Sequence, residues 1–176
     1  IDKVTRTLID QIDSLSRISD EFSRFGRMPR RSTRAVDTGE ILTEVVGLFR
    51  NHEHILFDVS IDRDLPPVLA DSEEFARALT NILRNAVQAM HDRGAIVVRA
   101  VSVANRVRLS IGDTGAGISS ELLPRIFEPN CSTKTEGMGL GLAIVKKIID
   151  DAGGDIRIES TEGEGTTVII ELPSVV

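Results

Sequence analysis

The stretch Asp113-Thr114-Gly115-Ala116-Gly117-Ile118 constrains this chain more than any other. It follows the apolar alternation Val107, Leu109, Ile111, which predicts a half-buried strand, so the acid stands where that strand stops and the backbone turns. Two glycines in D-x-G-x-G allow positive φ and let the main chain approach a flat ligand without interference from a Cβ. A carboxylate held there can accept a hydrogen bond from an exocyclic amine. The same string is also ordinary turn chemistry, so its meaning depends on its surroundings.

Upstream, Asp37 with Glu40 and Asp71 with Glu74 are capping pairs that predict two helices. The first runs through Ile41, Leu42, Val45, Val46 and Phe49, and the second through Phe75, Leu79, Ile82, Leu83, Ala86 and Met90. Between them Ile55, Phe57, Val59 and Ile61 alternate as in a strand with one buried face. Asn81 and Asn85 lie one turn apart on the second helix, beside its apolar stripe. Asn is a poor interior helix former, so two of them there ask for a reason. Either each bonds to nearby backbone, or an amide oxygen sits next to a Mg²⁺ whose other ligands are waters and phosphate oxygens.

Val97–Val103 and Val107–Ile111, joined by Ala104-Asn105-Arg106, predict a hairpin that ends in the opening stretch. Ser119 is placed to cap a short helix through Leu122 and Leu123. From Phe127 to Met138 periodicity is lost, and long ordered loops of this kind tend to be lids or binding loops. Gly137, Gly139 and Gly141 then lead into the helical pattern Ile144, Val145, Ile148, Ile149. Glycines at a helix start expose N–H groups where the dipole favours anions. The run is neither a Walker A string nor a Rossmann fingerprint. Lys134 is either a solvated lysine or one that reaches a phosphate as the loop closes. A second hairpin crosses Glu162-Gly163-Glu164-Gly165, with Ile156 and Ile158 before it and Thr166 to Leu172 after it.

The chain begins with a different pattern. Ile1, Val4, Leu8, Leu15, Ile18, Phe22 and Phe25, with Gln11 in the remaining slot, fall at alternating gaps of three and four. That is a heptad seam, and Ile9 and Ile12 widen it toward what a four-helix bundle uses. The stretch from Arg27 to Arg34 reads as a hinge. A net charge of −6 over 176 residues argues against a nucleic-acid footprint. A single cysteine, Cys131, excludes an intramolecular disulfide and points to a reducing compartment. No apolar run reaches membrane-span length, and the Ile1 start suggests excision from a longer protein.

Taken together, N-I-L-R-N-A-V-Q-A from Asn81 to Ala89, D-T-G-A-G-I from Asp113, I-F-E-P-N-C-S-T-K from Ile126, G-M-G-L-G-L-A-I-V from Gly137 and G-E-G-T-T from Gly163 resemble, in order and spacing, the N, G1, F, G2 and G3 boxes of two-component sensor histidine kinases. The text around Asp20–Pro29 and Ala143–Ile148 is similar to the nitrogen-regulation NtrY/NtrB-type branch. The resemblance implies an α+β fold: a two-layer α/β sandwich of the Bergerat type, a mixed sheet with helices on one face, preceded by a long N-terminal helix. It divides the chain into residues 1–29, the second helix of a dimerisation and phosphoacceptor bundle, a linker 30–37, and a catalytic ATP-binding domain 38–176. It implies ATP or ADP with Mg²⁺ as ligands. Carried over by position, Asn85 is the metal ligand, Asn81 a phosphate-side contact, and Asp113 the acceptor for the adenine amine. Gln88 and Ala89 also fall among the nucleotide contacts. Gly115, Gly117 and Ile118 shape the adenine pocket, and Thr166 lies near the base. Phe127 packs at the base of the lid, while Lys134 and the run Gly137, Gly139, Leu140, Gly141, Leu142 approach the phosphates. Two positions depart from the usual family pattern: Thr114, where Asn is common, and Asn130-Cys131, where aromatics are common.

The phosphoacceptor of that family is a His on a bundle helix. Only His52, His54 and His91 exist here, and His52-Glu53 falls between a helix and a strand. The expectation is a chain that binds Mg-nucleotide but does not phosphorylate itself. Expected partners are its own or a sister subunit's dimerisation helices, as in a homodimeric parent, and a cognate response regulator. Neither nucleic acid nor direct membrane contact is expected, and the expected location is the cytoplasm, either free or as the cytosolic portion of a membrane-anchored parent. Three rivals remain: a GHKL-type ATPase, which would place a Glu where Asn81 stands, a degenerate docking or dimerisation module, and a serine kinase of the anti-sigma type, which would not need the N-terminal seam.

Overall fold

The computed structural model describes residues 32–90, 93–129, 131 and 139–175. The expected N-terminal bundle helix and its seam lie outside the described residues, as do His91, Asn130, Lys134 and Gly137.

The elements in order are β1 (Arg34–Val36), α1 (Thr38–Phe49), β2 (Ile55–Ile61), β3 (Val68–Ala70), α2 (Ser72–Ala89), β4 (Gly94–Val103), β5 (Arg106–Asp113), a 3₁₀ turn (Leu123–Arg125), α3 (Gly141–Asp151), β6 (Asp155–Thr161) and β7 (Gly165–Pro173). Five strands form one mixed sheet in the order β2-β4-β5-β7-β6. Only β2 and β4 run parallel, and the connection between them contains α2, as a parallel pair requires. β1 and β3 make a separate antiparallel pair.

The two capping residues do what their sequence predicts. Asp37 Oδ1 accepts from the N–H groups of Gly39 and Glu40, and Asp71 Oδ1 from those of Glu73 and Glu74. A reciprocal bond from Glu74 does not complete the box, because its carboxylate pairs with Arg77 one turn on. Burial works to raise the Asp71 carboxyl. The N–H groups of Glu74, Ser32 and Glu73, together with the Arg34 charge, nonetheless hold it below the ordinary aspartate range. Buried Phe75, Ala78, Leu79, Ile82, Leu83 and Ala86 line one face of α2 at helical spacing. Phe75 is fully buried, so truncating it to Ala would cost about 3–5 kcal/mol.

The sheet has one dry face and one wet face. Ile96, Val98 and Ala100 of β4, Val107, Leu109 and Ile111 of β5, and Val168, Ile170 and Leu172 of β7 are buried with the helices. The opposite face carries ion pairs across strands: Arg99 with Asp58, Arg106 with Asp155, and Glu171 held between Arg157 and Arg108. Those two guanidinium groups, Arg157 foremost, keep the Glu171 carboxyl below its usual range. This is the two-layer sandwich with helices on one face that the family resemblance implies.

Three local expectations change. Residues 34–36, assigned to the linker, form β1, which pairs with β3 and buries Val36. The first hairpin turns on two residues rather than three, with Ala104 in the left-handed region at φ 52°. No α-helix follows Ser119. Its carbonyl receives the N–H groups of Leu122 and Leu123, and the chain tightens into a 3₁₀ turn because Pro124 has no N–H with which to extend an α pattern.

Candidate functional site

The site is built at one end of the sheet. Strand alternation carries the dry face of β5 from Ile111 to Asp113, and that of β7 from Val168 back to Thr166. Register then places Asp113 directly opposite Thr166, with Ile96 on its other side and Ser160 beyond Thr166. One row across four strands therefore reads Ile96, Asp113, Thr166, Ser160, and it faces the helical layer.

Both flanking helices bring an end to this row. α2 is joined to β4 by a short connection, and β4 begins beside Asp113, so the last turns of α2 lie at this end. Ala89 anchors them: its carbonyl accepts from the Ala116 N–H at 3.0 Å. α3 is joined to β6 by the short connection Ala152-Gly153-Gly154 and packs against it, so the helix must fold back along the strand. At about 16 Å long, it returns nearly the whole of β6's length of roughly 20 Å, which brings its N-terminus to the level of Ser160. The two helices pack against each other.

The loop after β5 is tied down on every side. Asp113 Oδ1 accepts from its own Gly115 N–H at 2.8 Å, which fixes the carboxylate. Thr114 donates its N–H to the Ala95 carbonyl, and its hydroxyl oxygen accepts the Ala95 N–H at 3.0 Å. Thr114 thus continues the β4–β5 ladder through a side chain. Its replacement of the more common Asn leaves the loop well held. Gly163 N–H donates to the Ala116 carbonyl, and Ile118 N–H to Ser160 Oγ at 2.9 Å.

The glycines are small for a reason the sequence did not give. A Cβ on Gly115 would lie 2.7 Å from the Ala89 Cβ, and one on Gly117, at φ +67°, 2.0 Å from the Thr161 carbonyl oxygen. Close approach by the protein's own α2 and β6, rather than by a ligand, forbids side chains there.

The remaining candidates grade from inside to outside. Asn81 is buried at 9% exposure, Asn85 half-buried, Ala89 half-buried and Gln88 exposed. Asn85 is therefore the more exposed of the two asparagines. Phe127 is half-buried and packs on the core. Gly139 has φ 63°, and Leu140 and Leu142 are half-buried. Leu140 occupies the N-cap of α3 and has no side-chain acceptor to offer, and a Cβ on Gly141 would meet nothing within 4 Å. Among the described residues, no side chain thus caps the first N–H groups of α3. Ser160 escaped the sequence reading because it belongs to no motif. Hairpin register counted back from Gly163 would have placed it opposite Thr166.

His52 lies in the turn after α1, stacked on Phe49 with ring centroids 6.4 Å apart, and not on a bundle helix. Among the described residues no three His, Cys, Asp or Glu side chains gather to hold a metal. Among those residues, too, no helix is long and apolar enough to cross a membrane.

An arrangement of this kind has relatives. The chain belongs to the histidine kinase-, DNA gyrase B- and HSP90-like ATPase family, whose pattern matches residues 70–176. Within it, the similarity runs to sensor histidine kinases. The nitrogen regulation protein NtrY of Azorhizobium caulinodans is 36% identical over 180 residues, covering 97% of this chain and 23% of that protein. The catalytic domain of histidine kinase ThkA superposes with a TM-score of 0.72 at 34% identity, over 81% of this chain and 96% of that one. Full-length ShkA in complex with AMPPNP gives a TM-score of 0.77 at 29% identity, over 97% of this chain and 36% of that one. ThkA in complex with the response regulator protein TrrA gives 0.79 at 28% identity, over 96% of this chain and 50% of that one. The chain thus spans about a quarter of NtrY's length.

Proposed function

We propose that this chain is the ATP-binding, catalytic part of a sensor histidine kinase, passing the γ-phosphate of ATP to a histidine outside this chain for relay to an aspartate of a response regulator. The observation that carries the reading is the row Asp113–Thr166 on the dry face of the sheet, at the end where the uncapped start of α3 and the Asn-bearing turns of α2 also arrive. Likeness to a kinase seen with AMPPNP and to one seen with a response regulator supports it.

The donor set suits a Mg-nucleotide. Asp113, oriented by Gly115 N–H, accepts from the exocyclic amine of adenine, and Thr166 lines the base beside it. The N–H groups at the start of α3 take phosphate oxygens, aided by the helix dipole. Asn85 presents a hard, neutral amide oxygen to Mg²⁺, which suits a cation that keeps phosphate and water ligands. Bound there, the metal neutralises charge on the transferring phosphoryl group. Asn81 lines the same face one turn back. Gly139, Leu140, Gly141 and Leu142 lie on the phosphate side of the pocket, with Phe127 at the base of the lid and Gln88 and Ala89 on the α2 side. The domain begins with β1 at 34, a bundle helix within 1–29 precedes it, and the parent is a homodimer whose kinase portion works in the cytoplasm.

An ATPase of the same family is disfavoured by residue 81. A Glu one turn before the metal Asn would activate water, whereas an Asn amide takes no proton. The test is to mix this chain with a separately made helical hairpin carrying an acceptor His, add Mg-ATP, and look for acid-labile phosphate on the hairpin. Phosphate release without the hairpin, or transfer to Ser, would reject the assignment.

A further inference from the structure

Ser160 lies at the end of the Asp113 row and makes three close contacts. Its Oγ is 2.9 Å from the Ile118 nitrogen, 2.8 Å from the Gly165 carbonyl oxygen and 2.9 Å from Thr166 Oγ1. Counting protons fixes the direction of each. A serine hydroxyl has one hydrogen to give and two lone pairs to offer. The Ile118 N–H can only donate and takes one lone pair. The Gly165 carbonyl can only accept and takes the single hydrogen. The contact with Thr166 must then be made by the threonine's own hydrogen, which falls on the second lone pair. Thr166 is left with its proton committed to Ser160, so toward the cleft its oxygen acts only as an acceptor. Beside it stands the carboxylate of Asp113, also an acceptor when ionised.

We propose that Ser160 is a specificity-determining residue for the nucleotide base: by holding the Thr166 hydroxyl proton it keeps the base-edge wall of the pocket acceptor-only. This rests on the nucleotide-binding reading above. Adenine carries an amine donor at position 6, where guanine carries an oxygen acceptor. At that position an acceptor-only wall therefore welcomes the adenine amine and repels the guanine oxygen, whereas a Thr166 hydroxyl free to rotate would supply a donor for that oxygen. Ser160 touches no substrate in this scheme and acts through Thr166.

The experiment is calorimetric titration of the chain with Mg-ADP and Mg-GDP, read as the ratio of the two affinities. Ser160→Ala is expected to lower that ratio about tenfold. Ser160→Thr, which keeps the hydroxyl, should preserve it. In a Thr166→Val background, Ser160→Ala should change the ratio no further, a non-additivity that mere loss of packing would not give. If the alanine variant fails to fold, Ser160→Cys takes its place, with a weaker donor and a smaller drop expected. An unchanged ratio in folded Ser160→Ala, or in Ser160→Cys where the alanine variant does not fold, with ADP still bound, overturns the inference alone. Failure of the unsubstituted chain to bind ADP overturns the nucleotide reading, and this inference with it.

Discussion

Gly117, in the loop after β5, and Gly141, at the start of α3, sit at the same end of the sheet and are small for opposite reasons. Gly117 is pressed by the Thr161 carbonyl and held at positive φ, so the fold itself requires it. At Gly141 a side chain would meet none of the described residues within 4 Å, so the described fold would tolerate and even gain from one. The helix starts differ in the same way. α1 and α2 are closed by their own aspartates, whereas α3 presents Leu140 and glycine. One region is finished by the protein, and the other is left for something else to finish. On the nucleotide reading, that something is phosphate.

The contrast is most severely tested at Gly117. Gly117→Ala is expected to destabilise by on the order of 3 kcal/mol or more, through a clash with backbone and a strained φ, measurable as a loss of urea midpoint. Next comes Asp113→Asn, which keeps the shape and removes the charge. It should leave the fold intact and weaken ADP about tenfold to a hundredfold by calorimetry. Smaller and sharper is a matched pair, Gly141→Ala and Gly47→Ala. Both sites leave a Cβ free of contacts within 4 Å, so both changes should stabilise by about 0.5–1 kcal/mol. Only Gly141→Ala should also cost about tenfold in ADP affinity, since an added methyl at a binding surface has that order of effect. If Gly141→Ala leaves binding untouched, the open helix end is not where phosphate rests.

The smallest expected effect concerns the closed helix start. The Asp71 carboxyl lies below its ordinary range in the folded chain, so its contribution is present at neutral pH and lost as pH falls through that depressed value. Urea stability should therefore decline with acid, and Asp71→Asn should make the decline shallower. Equal slopes for the two proteins would mean that Asp71 caps without a titrating role.

What could be read from sequence was what local patterns encode. Asp113 stood out because an alternating strand ended on it, and Asp37 and Asp71 because an acid three residues before another precedes each helix. The five boxes specified the family because their order and spacing are demanding together. What could not be read was set by contacts distant along the chain. β1 is three residues long, too short for alternation to declare it, and exists because β3 pairs with it. The cause of Gly115 and Gly117 lay in Ala89 and Thr161, one before and one after them in sequence. Ser160 looked like an ordinary polar position on an edge strand, and only its register with Thr166 gave it a role.

The most direct measurement is a calorimetric titration of Mg-ADP into the unsubstituted chain and into Asp113→Asn. Saturable heat in the first, much weakened in the second while its melting curve stays in place, is the predicted result. No heat in the first, or equal binding by both, would contradict the assignment of this end of the sheet to an adenine nucleotide.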